Sequence, residues 1–308
     1  MIEVIEPSVE VIEAPSALKK LELCGRICYK SEDKICEGSA ERMLGFIIKR
    51  GHTSVLEHYQ IAVESTEKDL WESVGGIAPF VNDIDWEAPE DDKSSCCRNF
   101  LERIDEKTVV GNVRAWRNWL EKIPEASDFI PSFQARYPVL FDHIDAEYSA
   151  LQPGPAPISI KEASDYITLR VICDRGVTHE IVRHRILSFS QESTRYCNYS
   201  NKPMQFIKPI PFRWTIGGSA YDAWFKSCQQ SADAYLEMLK FGCTPQEART
   251  VLNNSLKTEI AITGRIWQWK RFLKLRLPAD AHPQMRLIAI KILNILKERF
   301  PNENFGSC

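Results

Sequence analysis

The stretch "YITLRVICDRGVTHEIVRHRILSFSQESTR", residues 166–195, holds a strand, a break and a charged cluster. Ile167, Leu169, Val171 and Cys173 alternate, which predicts one face of a strand. Gly176 breaks the pattern. "VTHEIVRHRI" then opens a helix in which Val177, Ile181 and Arg185 fall in register. What remains, "RHRILSFSQESTR" (183–195), puts Arg183, His184, Arg185 and Arg195 beside the hydroxyls of Ser188, Ser190, Ser193 and Thr194. A solvated basic turn explains most clusters of this kind. An anion site is the sharper reading, because arginine carries a fixed fork of donors suited to phosphate.

Spacing refines this reading. Neighbours in an α-helix are about 100° apart, so helical Arg183 and Arg185 would point to nearly opposite sides. Unless the helix ends there, they would hold separate groups of a large ligand, or serve sites made with other subunits. Gln191, Ser193 and Arg195 would share a face if that run is extended. Ser193 and Arg195 would then meet a phosphate and Gln191 a neighbouring sugar hydroxyl. The expectation is two adjacent anionic ligands.

The whole chain restricts what such a site serves. Its 308 residues are 44% hydrophobic and 26% charged, an ordinary globular composition. The formal net charge of -3 argues against bulk attraction to nucleic acid or an anionic membrane, so an anion site must be local. "MIEVIEPSVE" has no basic region followed by an apolar run, and no stretch approaches the roughly 18–20 apolar residues of a spanning helix. A cytoplasmic protein is expected. The ten cysteines include no Cys-x-x-Cys pair, and they read as buried or free thiols, with no metal site. The chain has neither G-x-G-x-x-G nor a P-loop, so side chains and helix ends would have to hold any dinucleotide.

Outward from the opening stretch, residues 13–49 read as helical, Gly51 ends a helix, and "YQIAVES" (59–65) reads as a strand. Residues 66–162 differ in character. "NDIDWEAPEDDKSSCC" (82–97) is an acidic excursion, "GNVRAWRNWLEKI" (111–123) a helix, "SFQARYPVLFDHIDAEY" (132–148) a mixed connector and "LQPGPAPIS" (151–159) a linker. The expected organisation is a single domain, 1–308, interrupted by an insertion at about 66–162. C-terminally, a helix over 219–241 stops at Gly242. "TPQE" (244–247) forms a capping box that starts a helix carrying Arg249. "TEIAITG" (258–264) reads as a short strand and "WQWKRFLKLR" (267–276) as a helix. Pro283 starts the last helix, with His282 at or near its N-cap. Five of the six histidines, all but His143, lie in segments already marked as unusual.

The order of these blocks resembles the flavin-dependent thymidylate synthases. Arg183-His184-Arg185, seven residues, then Ser193 matches that family's signature. "CGRICYKSEDK" (24–34) and "GHTSVLEH" (51–58) resemble its N-terminal blocks; "ARTVL", "TEIAITG", "FLKLR" and "AHPQMR" resemble its C-terminal block. The resemblance implies an α/β fold, a twisted antiparallel sheet flanked by helices, assembled as a homotetramer with active sites between subunits. It implies dTMP made from dUMP, with methylenetetrahydrofolate as carbon donor and NADPH reducing a bound FAD. Arg183, His184 and Arg185 would contact FAD, with His52, Ser54, Glu57, Arg265 and His282 near it. Gln191, Ser193, Arg195 and Arg249 would hold dUMP, and Arg276 would address its uracil ring. Arg276 and Ser193 would be the catalytic pair, and no cysteine would be needed as nucleophile. The chain departs from the family pattern at Arg265, Ile266 and Trp267, where Asn, a spacer and Arg are usual, and Asn253 replaces a Pro. That departure suggests an alternative, a relative that binds nucleotide or FAD without turnover. A nucleic-acid module is the third possibility, opposed by the negative net charge.

Overall fold

The computed structural model describes residues 2–66, 70–73, 78–80, 101–144, 158–210 and 218–306. In chain order come β1 (Glu3–Ile5), β2 (Ser8–Val11), α1 (Ala17–Tyr29), α2 (Ser39–Lys49), β3 (Gln60–Ser65), α3 (Leu70–Ser73) and β4 (Ala78–Phe80). Next are β5 (Glu102–Arg103), β6 (Thr108–Asn112), α4 (Val113–Lys122), α5 (Ile130–Arg136), β7 (Ile158–Glu162), β8 (Tyr166–Asp174), α6 (Arg175–Ile181) and β9 (Ser188–Gln191). The chain closes with β10 (Gln205–Ile207), α7 (Ser219–Lys240), α8 (Pro245–Ala248), β11 (Lys257–Arg265), α9 (Ile266–Arg276) and α10 (Pro283–Arg299). A 3-10 turn, Thr53–His58, links α2 to β3.

The central sheet runs β2-β8-β11-β9, every neighbour antiparallel. Its faces follow the two-residue alternation of a strand. On one face Ile167, Leu169, Val171, Cys173, Ile260 and Ile262 pack in a single core with α6, α9 and α10. The alternation expected of β8 is therefore present. On the other face Ala261 packs with Cys24 and Ile27 of α1. Thr168, Thr263 and Ser190 join the same face, and the 3-10 turn covers them through His58. Chemically, then, one side of the sheet is a dry core and the other a polar seam.

A second sheet has the order β4-β5-β6-β3-β7, with β3 antiparallel to both β6 and β7. Residues 101–141 of the span read as an insertion share one core with α1, α2 and β3, built round Trp71, Trp116, Phe133 and Phe141. A short parallel pair, β1-β10, packs with α7 and α8. The architecture is mixed α/β with antiparallel sheets and helices, and it contains more than the one sheet expected.

Local signals place several elements well. Gly51 and Gly242 take positive φ of 70° and 89° just past α2 and α7. Thr244 and Glu247 form the capping box, and His282 is the N-cap of α10. Others need correction. "TEIAITG" is part of a nine-residue strand, buried throughout. The helix of "GNVRAWRNWLEKI" begins at Val113; Gly111 and Asn112 belong to β6. The "connector" 132–148 begins inside α5, which runs from Ile130 to Arg136. The acidic excursion and most of "LQPGPAPIS" lie outside the described residues.

Gly264 shows how closely the central sheet is packed. A Cβ there would lie 2.3 Å from Leu187 Cδ2 and 3.2 Å from Trp269 Nε1, and both side chains are fully buried. Overpacking of a filled core costs about 1–3 kcal/mol. Gly264→Ala should therefore lower stability by that amount in denaturant unfolding, whereas Gly45→Ala, with nothing within 4 Å of the added Cβ, should not.

Candidate active site

Asp174, the last residue of β8, caps α6 by accepting from Val177 N (2.8 Å). The helix ends at Ile181, before the RHR motif. Val182–Arg185 form a turn in which His184 N donates to Ile181 O (3.1 Å) and Arg185 N to Arg183 O (3.0 Å). The expected helical register of Arg185, and the divergence argued from it, do not hold. Turn geometry sends the buried His184 inward and leaves Arg183 and Arg185 exposed.

His184 packs on Phe272 at 4.7 Å between ring centroids, and its Nε2 accepts from Arg276 Nε at 2.9 Å. Burial first, then the Arg276 and Arg271 charges, pull its pKa down to about 4. The ring is neutral and its proton sits on Nδ1. Arg276 also donates to Glu180 Oε2 (2.9 Å) and Glu180 O (3.2 Å), and His282 Nδ1 lies 3.8 Å from Glu180 Oε1. So α6, α9 and the N-cap of α10 bring His184, Arg276 and His282 together round Glu180. That glutamate was missed in the sequence, although its position three residues before Arg183 puts it on the last turn of the same helix.

A second group gathers where β9 ends. Gln191 Nε2 donates to Thr178 Oγ1 (3.0 Å) and Thr258 Oγ1 (3.2 Å). Ser193 and Arg195 do not continue an extended run. Tyr196 N and Cys197 N both donate to Ser193 O, closing a turn. Ser193 Oγ accepts from Arg195 N (3.3 Å), Arg195 Nε donates to Gln246 Oε1 (2.9 Å), and Arg249 Nη1 donates to Thr194 Oγ1 (3.5 Å). The turn thus draws Ser193, Arg195 and Arg249 together by another route than the shared face expected. Cys197, two residues past Arg195, is buried.

Beneath this turn lies a charged network that composition did not reveal. Buried Glu192 accepts from Lys257 Nζ (3.2 Å) and Tyr199 Oη (2.8 Å). Lys257, Lys30 and Arg170 all pair with Glu259. Burial pushes the Glu259 carboxyl up, but the lysines outweigh it and hold the group at about 2. Compensated in this way, the network fixes the exit of β9 and leaves the arginines beyond it unneutralised.

Four of the candidate arginines have no carboxylate partner among the described residues. Arg170, Arg265 and Arg276 each have carboxylate partners. Arg183 and Arg185 have no side-chain partner among the described residues, and Arg195 and Arg249 have only neutral ones: Gln246, the Tyr196 ring and Thr194. Guanidinium stays charged at any physiological pH, so four such groups round one stretch fit ligands carrying several negative charges, as a dinucleotide cofactor and a nucleotide do.

The N-terminal candidates sit on the 3-10 turn. His52 is its N-cap, and His52 and Ser54 are exposed. Glu57 is buried and accepts from Arg114 Nη1 at 2.7 Å. His58, fully buried, is hydrogen-bonded through Nδ1 to Thr263 Oγ1 (2.8 Å) and through Nε2 to Ser190 Oγ (2.9 Å), tying this turn to β11 and β9. Arg265 is not brought to the other candidates. It is buried, paired with Glu102 and with Asp165 Oδ2 (2.6 Å), and Trp267 Nε1 donates to the same Glu102 (3.2 Å). Burial raises the Glu102 carboxyl to about 7 despite Arg265.

Fold and site together define a mixed α/β protein with a cluster of cationic side chains at the C-terminal ends of α6 and β9. Residues 161–302 match the family described as thymidylate synthase complementing protein, which bears out the resemblance read from the motifs. The flavin-dependent thymidylate synthase of Pyrococcus abyssi is 32% identical over 127 residues, 41% of this chain and 52% of that protein. That of Geobacter sulfurreducens is 30% identical over 123 residues, 40% and 52%; that of Saccharolobus solfataricus is 31% identical over 155 residues, 50% and 54%. The chain spans about half the length of the curated relatives it matches. His52, Ser54 and Glu57 lie outside the family match. No helix among the described residues is long and apolar enough to cross a membrane.

His58 gives a pH test. Burial lowers its pKa from 6.5 to about 3, so the folded state binds fewer protons than the unfolded one. Its contribution is intact above about pH 6.5 and is lost progressively as pH falls toward 3. Denaturant unfolding from pH 7 to pH 4 should show a smaller loss of stability in His58→Gln than in the wild type.

Proposed function

We propose that the chain is a cytoplasmic FAD-dependent thymidylate synthase. It would convert dUMP to dTMP with methylenetetrahydrofolate as carbon donor and NADPH as reductant, working as a homotetramer. The observation that carries this reading is the set of four arginines without carboxylate partners, Arg183, Arg185, Arg195 and Arg249, on the two adjoining groups that His184 and Gln191 anchor. The names of the matched relatives support the flavin and the thymidylate product.

In this reading Arg183, His184 and Arg185, with His52, Ser54, Glu57 and His282, serve FAD, and Arg265, buried and held by Glu102 and Asp165, does not. Gln191, Ser193, Arg195, Arg249 and Arg276 serve dUMP. When bound, FAD supplies the hydride. The chain's own part is to bind, orient and stabilise charge. Ser193 and Arg195 offer a hydroxyl and a charged fork to the phosphate. Arg276 is held by Glu180 and His184 so that its charge can stabilise a pyrimidine anion. Cysteine nucleophiles play no part. Burial raises the Cys197 thiol to about 11, which leaves almost no thiolate at neutral pH. One observation favours a second reading, a relative that binds without turnover: Arg265 and Trp267 are already engaged with Glu102.

Ligand titrations test the assignment. Added FAD should give flavin-bound protein, and a chain that ignores FAD would sink both readings. Ser193→Ala and Arg195→Ala should each weaken dUMP by about 1.5–3 kcal/mol, the value of a charge-assisted hydrogen bond, while FAD binding holds. Equal loss of both ligands would refute the division. Cys197→Ala should keep dTMP formation above about a tenth of wild type, since a thiol with a raised pKa is no activated nucleophile.

A further inference from the structure

We infer that α4 is a positioning element for the His52–His58 block, and that it acts through the ion pair between Arg114 and Glu57. The inference rests on the flavin reading above, in which Glu57 serves the cofactor. The block is held at two consecutive residues by different partners. His58 is fixed to the central sheet through Thr263 and Ser190. Glu57 is fixed to α4, where Arg114 Nη1 donates to its Oε1 at 2.7 Å. The Glu57 side chain is 3% exposed and that of Arg114 35%, so the guanidinium reaches a buried carboxylate from the rim.

Local structure explains why Arg114 sits there. Asn112 caps α4 by accepting from Ala115 N (2.9 Å). Trp116, Trp119 and Leu120 enter the core. Arg114, Arg117, Asn118 and Glu121 fall at i, i+3, i+4 and i+7, which is one helical face. Together with Gly51, Thr53 and His143 that face lines a cavity of about 510 Å³. The wall of the cavity is therefore shared by the cofactor block and α4. Arg117 braces this face by donating to the carbonyls of Leu140 (2.7 Å) and Asp142 (3.0 Å).

A second tie runs the same way. Glu102, from the strand just before β6, holds Arg265 and Trp267. Residues 101–122 thus supply partners both to Glu57 and to Arg265 at the start of α9. The effect of Arg114 follows from charge. Without Arg114 the buried carboxylate loses a charge-assisted hydrogen bond and turns more of its negative charge on an anionic ligand beside it. With Arg114 in place the carboxylate is neutralised and its direction fixed.

A double-mutant cycle on FAD affinity tests this. FAD is titrated by fluorescence into apo wild type, Arg114→Gln, Arg114→Lys, Glu57→Gln and the Glu57→Gln/Arg114→Gln double variant, with a thermal melt of each. Arg114→Gln should weaken FAD about tenfold, Arg114→Lys should recover most of that, and Arg114→Gln should add nothing once Glu57 is Gln, as expected of coupled neighbours. An unchanged FAD affinity in Arg114→Gln, or an equal loss in both backgrounds, would overturn the inference. If Arg114→Gln does not fold, Glu57→Gln reads the pair from the other side, and an unchanged affinity there overturns it equally. A wild type that takes up no FAD defeats the flavin reading itself, an outcome separate from failure of the cycle.

Discussion

The pairing of β8 with β11 is the constraint on which the rest depends. Nine residue pairs lie in unbroken register, from Lys257 opposite Asp174 to Arg265 opposite Tyr166. Each strand leads directly into a helix of the site: β8 into α6 and β11 into α9. Register therefore fixes where the two helices begin. It brings Glu180 and His184 from one against Arg276 from the other. A one-residue slip would turn each strand's side chains to the opposite face of the sheet and undo both groups. Gly264 belongs to the same constraint, since only a residue without a side chain lets Leu187 and Trp269 close over the ladder.

The polar face of that sheet performs a second task. Thr168, Thr263, His58 and Ser190 form a chain of buried hydrogen bonds. A buried polar group is costly when unsatisfied and rigid when satisfied. Here the network joins the N-terminal block to the sheet through hydrogen bonds of His58 to both Thr263 and Ser190. The block's free end, His52 to Ser54, stays exposed beside a cavity that α4 completes. The N-terminal half and the family-matched half thus meet through polar contacts at this block as well as through the apolar packing of α1 and β2 on the sheet.

Much of this was legible in the sequence where the rule is local. The alternation of Ile167 to Cys173, the Thr244–Glu247 box and Pro283 with His282 at its N-cap each depend on a few neighbouring residues, and each is found. Local rules fail where distant charges compensate one another. Lys257, Glu259 and Arg265 look like strand ends or surface, yet they are buried by partners 65 to 229 residues away, such as Glu192, Lys30 and Glu102. The helix after Gly176 stops earlier than periodicity suggests because His184 is drawn inward to Phe272 and Arg276. Pairing of β6 and β7 with β3 crosses long separations, and nothing in a single strand names its partner. Candidate residues were easier to name than their geometry. The arginines announce themselves by type, but the turn that gathers Ser193, Arg195 and Arg249 is set by backbone bonds to Ser193 and Cys28.

The central claim is that this cationic site turns over, and does more than bind. The most direct measurement is dTMP formation by the FAD-loaded protein from dUMP, methylenetetrahydrofolate and NADPH, followed together with NADPH oxidation. The account predicts dTMP that appears only when all three substrates are present and that is abolished in Arg276→Ala. FAD and dUMP bound at saturation with no dTMP formed would contradict it, and would leave the chain as a binding relative.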